Sequence, residues 1–267
     1  MKTRAITGFF FIGVLIAAVL LGPFVFIPFF ALLGVYSVYE FYKMVQAMDI
    51  RPLVWTAIAC ATIGFLLLGA VLVGFFPEGS LLWLFSAAFL LYITALFRQS
   101  TTAIQDLSYT LFGLCYAAIP FGIFICLGFL EGSYDPYIPL GFLILLWTND
   151  TGAYLAGKSF GRRKLFERIS PNKTWEGFVG GMLLAVVVSF NLGRYFDALS
   201  NWQWLTLALI IGTFGTLGDL VESMLKRNTG MKDSGSLLPG HGGLLDRFDG
   251  LLMAAPLVYI FLKTFVF

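Results

Sequence analysis

Residues 53–75 read Leu53-Val-Trp-Thr-Ala-Ile-Ala-Cys-Ala-Thr-Ile-Gly-Phe-Leu-Leu-Leu-Gly-Ala-Val-Leu-Val-Gly-Phe75, without one charged side chain. A helix needs about 20 predominantly apolar residues to cross a bilayer core, and this run supplies them. Eight further runs of the same character lie at roughly 5–21, 24–46, 80–97, 104–129, 136–155, 175–191, 203–226 and 244–265. They are continuous and rich in Leu, Ala, Gly and Phe, unlike the alternating segments of about ten residues that build membrane β-barrels. The expected fold is an all-α polytopic membrane protein with about nine transmembrane helices.

Composition agrees. The chain has 267 residues, 59% hydrophobic and 12% charged, with a mean hydropathy of +0.87, which excludes an ordinary soluble domain. The first run follows Lys2 and Arg4 as a signal peptide would, but a second apolar run begins almost at once, so it reads as a retained anchor. Pro23 and Pro28 should kink the second span or delay its start. Cys60, Cys115 and Cys126 fall inside spans with no metal-ligand spacing, so neither a disulfide framework nor a zinc site is expected.

The net charge of +2 gives no footprint for nucleic acid, and the distribution of charge says more. If nine spans alternate, all Lys and Arg except Arg194 and Lys263 fall on one side. By the positive-inside rule that side is cytoplasmic and includes the N-terminus. The expected location is a bacterial cytoplasmic membrane, with the active site at the cytoplasmic side of the C-terminal helices.

Two regions follow. Residues 1–135 hold five apolar spans, read as support and membrane packing. Their conspicuous polar groups are Glu40, one turn from Lys43 and read as a local ion pair, and Asp106, a carboxylate suited to a helix N-terminus. Residues 136–267, where charge density rises, are read as the catalytic region, with cytoplasmic loops at 156–175 and 226–245.

Gly152-Ala-Tyr-Leu-Ala-Gly-Lys158-Ser159 matches the P-loop template letter for letter. That loop works between a strand and a helix of a soluble α/β unit, whereas here it continues a membrane span, so the P-loop reading is rejected. Lys158 is then a membrane-surface anchor or a phosphate contact at the interface. The loop beyond it is basic, but cytoplasmic loops are basic for topological reasons alone. Ser170-Pro-Asn-Lys-Thr-Trp-Glu-Gly177 is more specific: Lys173 at a helix start makes an anion site, against the plainer reading of Trp175 as an interfacial anchor and Glu176 as a helix-start acid.

The strongest constellation spans Asp219 to Asp249. Asp219, Glu222 and Lys226 share one helical face, as do Asp246 and Asp249. Between them Gly235, Pro239, Gly240, Gly242 and Gly243 form a loop whose backbone approaches a ligand closely. Carboxylates from facing helices supply hard oxygen ligands to Mg²⁺, one ion or two about 4 Å apart. The alternative is a structural network in which the acids pair with Lys226, Arg227, Lys232 and Arg247. His241, the sole histidine, suits a phosphate donor or loop organiser better than a general base.

At these residues the chain resembles the phosphatidate cytidylyltransferase, or CDP-diglyceride synthase, family. The resemblance rests on Ser223, Lys226, Arg227, Lys232, Asp233, Pro239, Gly240, His241, Gly242, Gly243, Asp246, Arg247 and Asp249, and on the blocks Asn149-Asp150-Thr-Gly-Ala-Tyr154 and 170–177. It covers roughly residues 145–255; the N-terminal half is similar only in being apolar and helical. It implies a Mg²⁺-dependent reaction of CTP with phosphatidic acid, giving CDP-diacylglycerol and pyrophosphate. On that reading Asp219, Asp246 and Asp249, with Glu222 beside them, hold metal. Lys226, Arg227, Lys232 and Arg247 bind phosphates, and Asp150, Lys173, Glu176, Ser223, Asp233, His241, Gly242 and Gly243 line the substrates. A homodimer is left open. A CTP-dependent polyprenol kinase and a cation transporter using the carboxylates are the alternatives.

Overall fold

The computed structural model describes residues 2–235 and 242–267, with side chains from Gly8 onward within them. Seven described helical stretches are long and apolar enough to cross a membrane: Pro23–Met48, Val54–Leu72, Glu78–Phe97, Ala103–Phe129, Trp175–Tyr195, Asn201–Asn228 and Leu245–Phe265. Large apolar side chains such as Leu66, Phe89, Leu96 and Leu183 are exposed on them. Lipid accepts such surface and water does not, so the molecule is a predominantly helical polytopic membrane protein.

The chain divides into two compact units. One comprises residues 1–126 with 229–246, the other residues 127–228 with 247–267.

In the first unit, α1 (Lys2–Leu20), α2 (Pro23–Val45), α3 (Val54–Leu72), α4 (Leu84–Phe97), α5 (Ala103–Gly113) and α6 (Ile119–Cys126) follow in order. Pro23 stands at the first turn of α2, where its missing N–H costs nothing. Phe26, Phe30, Gly34, Ser37, Val38, Phe41, Tyr42 and Val45 of α2 are buried at three- and four-residue spacing. Their aromatic rings meet Phe124, 4.8 Å from Phe30, and Phe112, 5.3 Å from Phe41. The Tyr42 hydroxyl donates to the Thr110 carbonyl at 2.7 Å, giving the buried polar end a partner. A π-helical turn at Leu114–Ala118 separates α5 from α6, just before Pro120, which has no N–H for the helical ladder. Asp106, in the first turn of α5, accepts from the Arg51 N–H at 2.9 Å and stands 3.9 Å from the Arg98 guanidinium. The helix-start expectation holds there, and the buried carboxylate also ties two loops together.

In the second unit, α7 (Tyr137–Phe160) leads through a hairpin of β1 (Lys164–Phe166) and β2 (Ser170–Thr174) into α8 (Trp175–Tyr195), then α9 (Asn201–Asn228) and α10 (Leu245–Phe265). The two short strands were not expected from an all-helical reading. α7 and α8 touch through small residues. A Cβ on Gly152 would stand 3.0 Å from the Gly181 Cα, and one on Gly180 only 2.2 Å from the Ala156 Cβ. Small residues let membrane helices approach and gain dispersion contacts where no hydrophobic drive between helices exists. The glycines of the P-loop-like string therefore serve helix packing. Lys158, in the last turn of α7, lies 5.8 Å over the Tyr154 ring.

Candidate active site

The hairpin positions the first basic group. Lys164 pairs with Thr174 and Phe166 with Ser170, antiparallel. Thr174 then caps α8, its hydroxyl accepting from the Gly177 N–H at 3.1 Å. Glu176 accepts from the backbone N–H groups of Arg162 at 3.0 Å and Arg163 at 3.2 Å, closing the hairpin against the helix start. Glu176 is thus placed as a hairpin clasp. The residue before the cap, Lys173, brings its Nζ to 2.5 Å from Asp219 Oδ2.

Asp219 also accepts from the Ser223 hydroxyl at 3.2 Å, one helical turn on. Its helix, α9, meets α10 through glycine. A Cβ on Gly218 would stand 2.3 Å from the Asp249 carbonyl oxygen, and one on Gly250 would stand 3.3 Å from the Gly215 Cα. Asp219 and Asp249 each adjoin a glycine of that crossing, so both lie beside it. Asp249 Oδ1 accepts from the Gly250 N–H at 2.7 Å. The charges of Asp219, Asp150 and Lys173 all act on Asp249, and Asp150 feels Lys173, Asp219 and Arg247. Asp150 of α7, Asp219 of α9 and Asp249 of α10 thus lie within electrostatic reach of one another, and Lys173 pairs directly with Asp219. Next to Asp150, the buried Asn149 packs against α8 and α9, where its Oδ1 would meet a Cβ on Gly181 at 3.0 Å or on Gly212 at 3.2 Å.

Lower on α9, Glu222 is buried and pairs with Lys226, its i+4 neighbour. Arg227 is exposed and donates from Nε to the Ile169 carbonyl at 3.4 Å, linking α9 to the hairpin. Arg247 is exposed at the first turn of α10.

In the other unit, Lys232 and Asp233 are exposed and Ser234 is fully buried. Asp246 Oδ2 accepts from the Ser234 N–H at 3.0 Å, the Ser234 hydroxyl at 3.0 Å and the Gly243 N–H at 2.7 Å. Gly242 has φ +79°, and a Cβ there would stand 2.5 Å from that same oxygen. Glycine is required on both counts. His241, Pro239 and Gly240 lie outside the described residues.

Glu40, expected to pair locally with Lys43, instead accepts from the Leu245 N–H at 2.9 Å and the Ser234 hydroxyl at 3.4 Å. Its burial, at 1% exposed, selects these partners. Sequence reasoning passed over Ser234 altogether. A small polar residue in a Gly/Ser loop carries no signal of what it will touch.

Excess carboxylate is a donor set of hard oxygens, which Mg²⁺ takes. Among the described residues no group of three or more His, Cys, Asp and Glu side chains is close enough to hold a metal ion. An ion bound there would draw much of its shell from water and phosphate oxygens, as Mg²⁺ ordinarily does.

A groove of about 730 Å³ is also lined by residues of α7, α8 and the turn after α7, among them Phe160, Trp175, Val179 and Leu183 with Arg162 and Arg163.

The sequence pattern of the Cytidylyltransferase family matches residues 2–265. The chain is 42% identical over 180 residues to a phosphatidate cytidylyltransferase of Staphylococcus aureus (strain COL), covering 67% of this chain and 68% of that protein. It is 40% identical, at the same coverage, to the phosphatidate cytidylyltransferases of Staphylococcus haemolyticus (strain JCSC1435) and Staphylococcus epidermidis (strain ATCC 35984).

Proposed function

The chain belongs to the cytidylyltransferase family, and from that premise we propose that it transfers the cytidylyl group of CTP to phosphatidic acid, giving CDP-diacylglycerol and pyrophosphate. The observation that supports the site assignment is the Lys173–Asp219 ion pair beside the glycine crossing that sets Asp219 and Asp249 on adjoining helices, with Asp150 within their electrostatic reach.

In the proposed reaction a phosphate oxygen of phosphatidate forms a bond to the α-phosphorus of CTP. The bond between the α-phosphorus and the oxygen bridging to the β-phosphate breaks, and pyrophosphate leaves. The attacking oxygen is already anionic, so no general base is needed. Lys173 is set to take a triphosphate oxygen, because an anion of higher charge competes with Asp219 for its ammonium. Lys226, Arg227, Lys232 and Arg247 are assigned to the remaining phosphate charge, and the sequence resemblance adds Asp233, His241, Gly242 and Gly243 to the substrate-binding set.

Asp219 and Asp249 would hold Mg²⁺, with Asp150 beside them. We also assign Asp246 to metal binding, because it stands three residues before Asp249 and so shares a face of α10 with it. Glu222, held by Lys226, suits a supporting position. The bound ion supplies neutralisation of the developing phosphate charge.

The groove between α7 and α8 suits a phospholipid, with acyl chains along its apolar walls and the phosphate near Arg162 and Arg163. This gives the lipid a lateral approach from the bilayer. We place the N-terminus and the site on the cytoplasmic side of a bacterial inner membrane, with nine spans, on the distribution of Lys and Arg.

The deciding experiment incubates the purified protein in mixed micelles with phosphatidic acid, Mg²⁺ and CTP labelled at the α-phosphate. Label should enter the organic phase with release of an equal amount of pyrophosphate. Folded protein that yields neither product would remove this reading.

A further inference from the structure

Glu40 is a carboxylate on a membrane helix, 1% exposed. Burying such a group costs several kcal/mol unless hydrogen bonds compensate it, so its partners define what it does. Those partners lie some 200 residues away in sequence: Leu245 donates its backbone N–H to Glu40 Oε2 at 2.9 Å, and Ser234 its hydroxyl to the same oxygen at 3.4 Å.

Leu245 is the first residue of α10, and first-turn N–H groups of a helix have no partner within it. A Ser, Thr, Asp or Asn just before the helix usually accepts from such a group, but Leu244 stands there. Glu40 does so from α2, and its negative charge also suits the helix N-terminus.

The contact is close-packed on the loop side. A Cβ on Gly235 would stand 2.3 Å from Glu40 Oε1, and one on Gly243 2.7 Å from Glu40 Oε2 and 2.2 Å from the Ser234 hydroxyl. Ser234 is the joint between two acids, since its hydroxyl lies 3.0 Å from Asp246 Oδ2 as well. A hydroxyl has one proton, so it serves one carboxylate at a time while its N–H stays on Asp246.

We propose that Glu40 is a positioning residue for the reaction: from the N-terminal half of the chain it anchors the Leu245 N–H and the Ser234 hydroxyl, and so sets the orientation of Asp246 and the start of α10. The proposal rests on the reading above that the carboxylates of α9 and α10 form the active site. It gives an N-terminal membrane helix a part in the chemistry.

The test uses the full-length enzyme in mixed micelles and compares Glu40→Ala, Glu40→Gln, Lys43→Ala and Asp219→Asn. Misplacing reacting groups by about 1 Å costs on the order of 10²-fold, so Glu40→Ala should lower kcat between tenfold and a hundredfold. It should also raise the half-saturating Mg²⁺ concentration and speed backbone hydrogen exchange in peptides covering residues 242–250, while α3 keeps its protection. Glu40→Gln, whose amide oxygen still accepts from Leu245, should recover part of the rate. Lys43→Ala should leave all of these unchanged.

Wild-type kcat, Mg²⁺ dependence and exchange in Glu40→Ala would overturn the proposal. So would an equal loss in Lys43→Ala, which would assign the effect to a local ion pair. If Glu40→Ala does not fold, Ser234→Ala removes only the shared hydroxyl and should lower kcat severalfold in protein that still folds; wild-type kcat there would overturn the proposal. An active Asp219→Asn would instead remove the underlying site reading, whereas an inactive Asp219→Asn beside a normal Glu40→Ala removes only the role of Glu40.

Discussion

Lys173 Nζ and Asp219 Oδ2 stand 2.5 Å apart, joining the hairpin strand β2 to the polar end of α9. The pair satisfies each charge without substrate, yet both side chains retain access to solvent, at 25% and 39% exposed. It can therefore open when a triphosphate and a metal ion offer each partner a stronger counter-charge. Lys173→Met should raise the KM for CTP on the order of tenfold, the value of one lost charge-assisted contact. The same substitution should lower the Mg²⁺ concentration needed for half-maximal rate, because Asp219 no longer has a competing cation. Kinetics with each component varied would check both, and a KM for CTP equal to wild type would refute the phosphate role.

Asp219→Asn and Asp249→Asn keep the size and hydrogen-bonding shape of each side chain and remove its charge. If these groups hold the metal, kcat should fall on the order of 10²–10³-fold, with folded protein by size exclusion in detergent. A loss confined to KM for CTP would place them in substrate binding instead.

Gly181 packs where a Cβ would stand 2.5 Å from the Asn149 carbonyl oxygen. Backbone gives way less readily than a flexible side chain, so Gly181→Val should force α7 and α8 apart and cost about 1–3 kcal/mol. A clear drop in thermal unfolding temperature in detergent is expected. An unchanged temperature would show that the contact does not hold the helices.

Arg162→Ala together with Arg163→Ala leaves the two backbone N–H bonds to Glu176 intact and removes both guanidinium groups. If the groove receives the lipid, the KM for phosphatidic acid should rise roughly tenfold while the KM for CTP stays within about twofold. Equal effects on both substrates would contradict a lipid-specific groove.

Much of the architecture was legible because the signal for a membrane helix is the solvent requirement itself: a backbone in lipid must satisfy its own hydrogen bonds. The run at 104–129 shows the limit of that signal. Hydropathy reads it as one span, but it contains a π-helical turn that a composition average does not register. The hairpin at 164–174 escaped for a different reason. Ser170-Pro-Asn-Lys-Thr174 has little strand propensity, and the segment is held by the Thr174 cap and the Glu176 clasp, each a specific contact.

The candidate site divides the same way. Helical spacing in the sequence put Asp219 with Glu222, and Asp246 with Asp249, but spacing on one helix does not say which other helix it meets. The glycines at 215, 218 and 250 decide that by allowing α9 and α10 to touch. Glu40 is the clearest instance. Its distance from Lys43 suggested a local ion pair, and burial against a loop some 200 residues later overrode it.

The sequence by itself determined a helical membrane protein, its family and the residues that carry charge, because hydrophobic length and residue chemistry are local properties. The tertiary structure was needed to pair Lys173 with Asp219, to bring α9 and α10 together beside Asp219 and Asp249, and to set Glu40 on the N–H of Leu245. Contacts between distant segments depend on which small residues let backbones approach and on which buried polar groups must find partners.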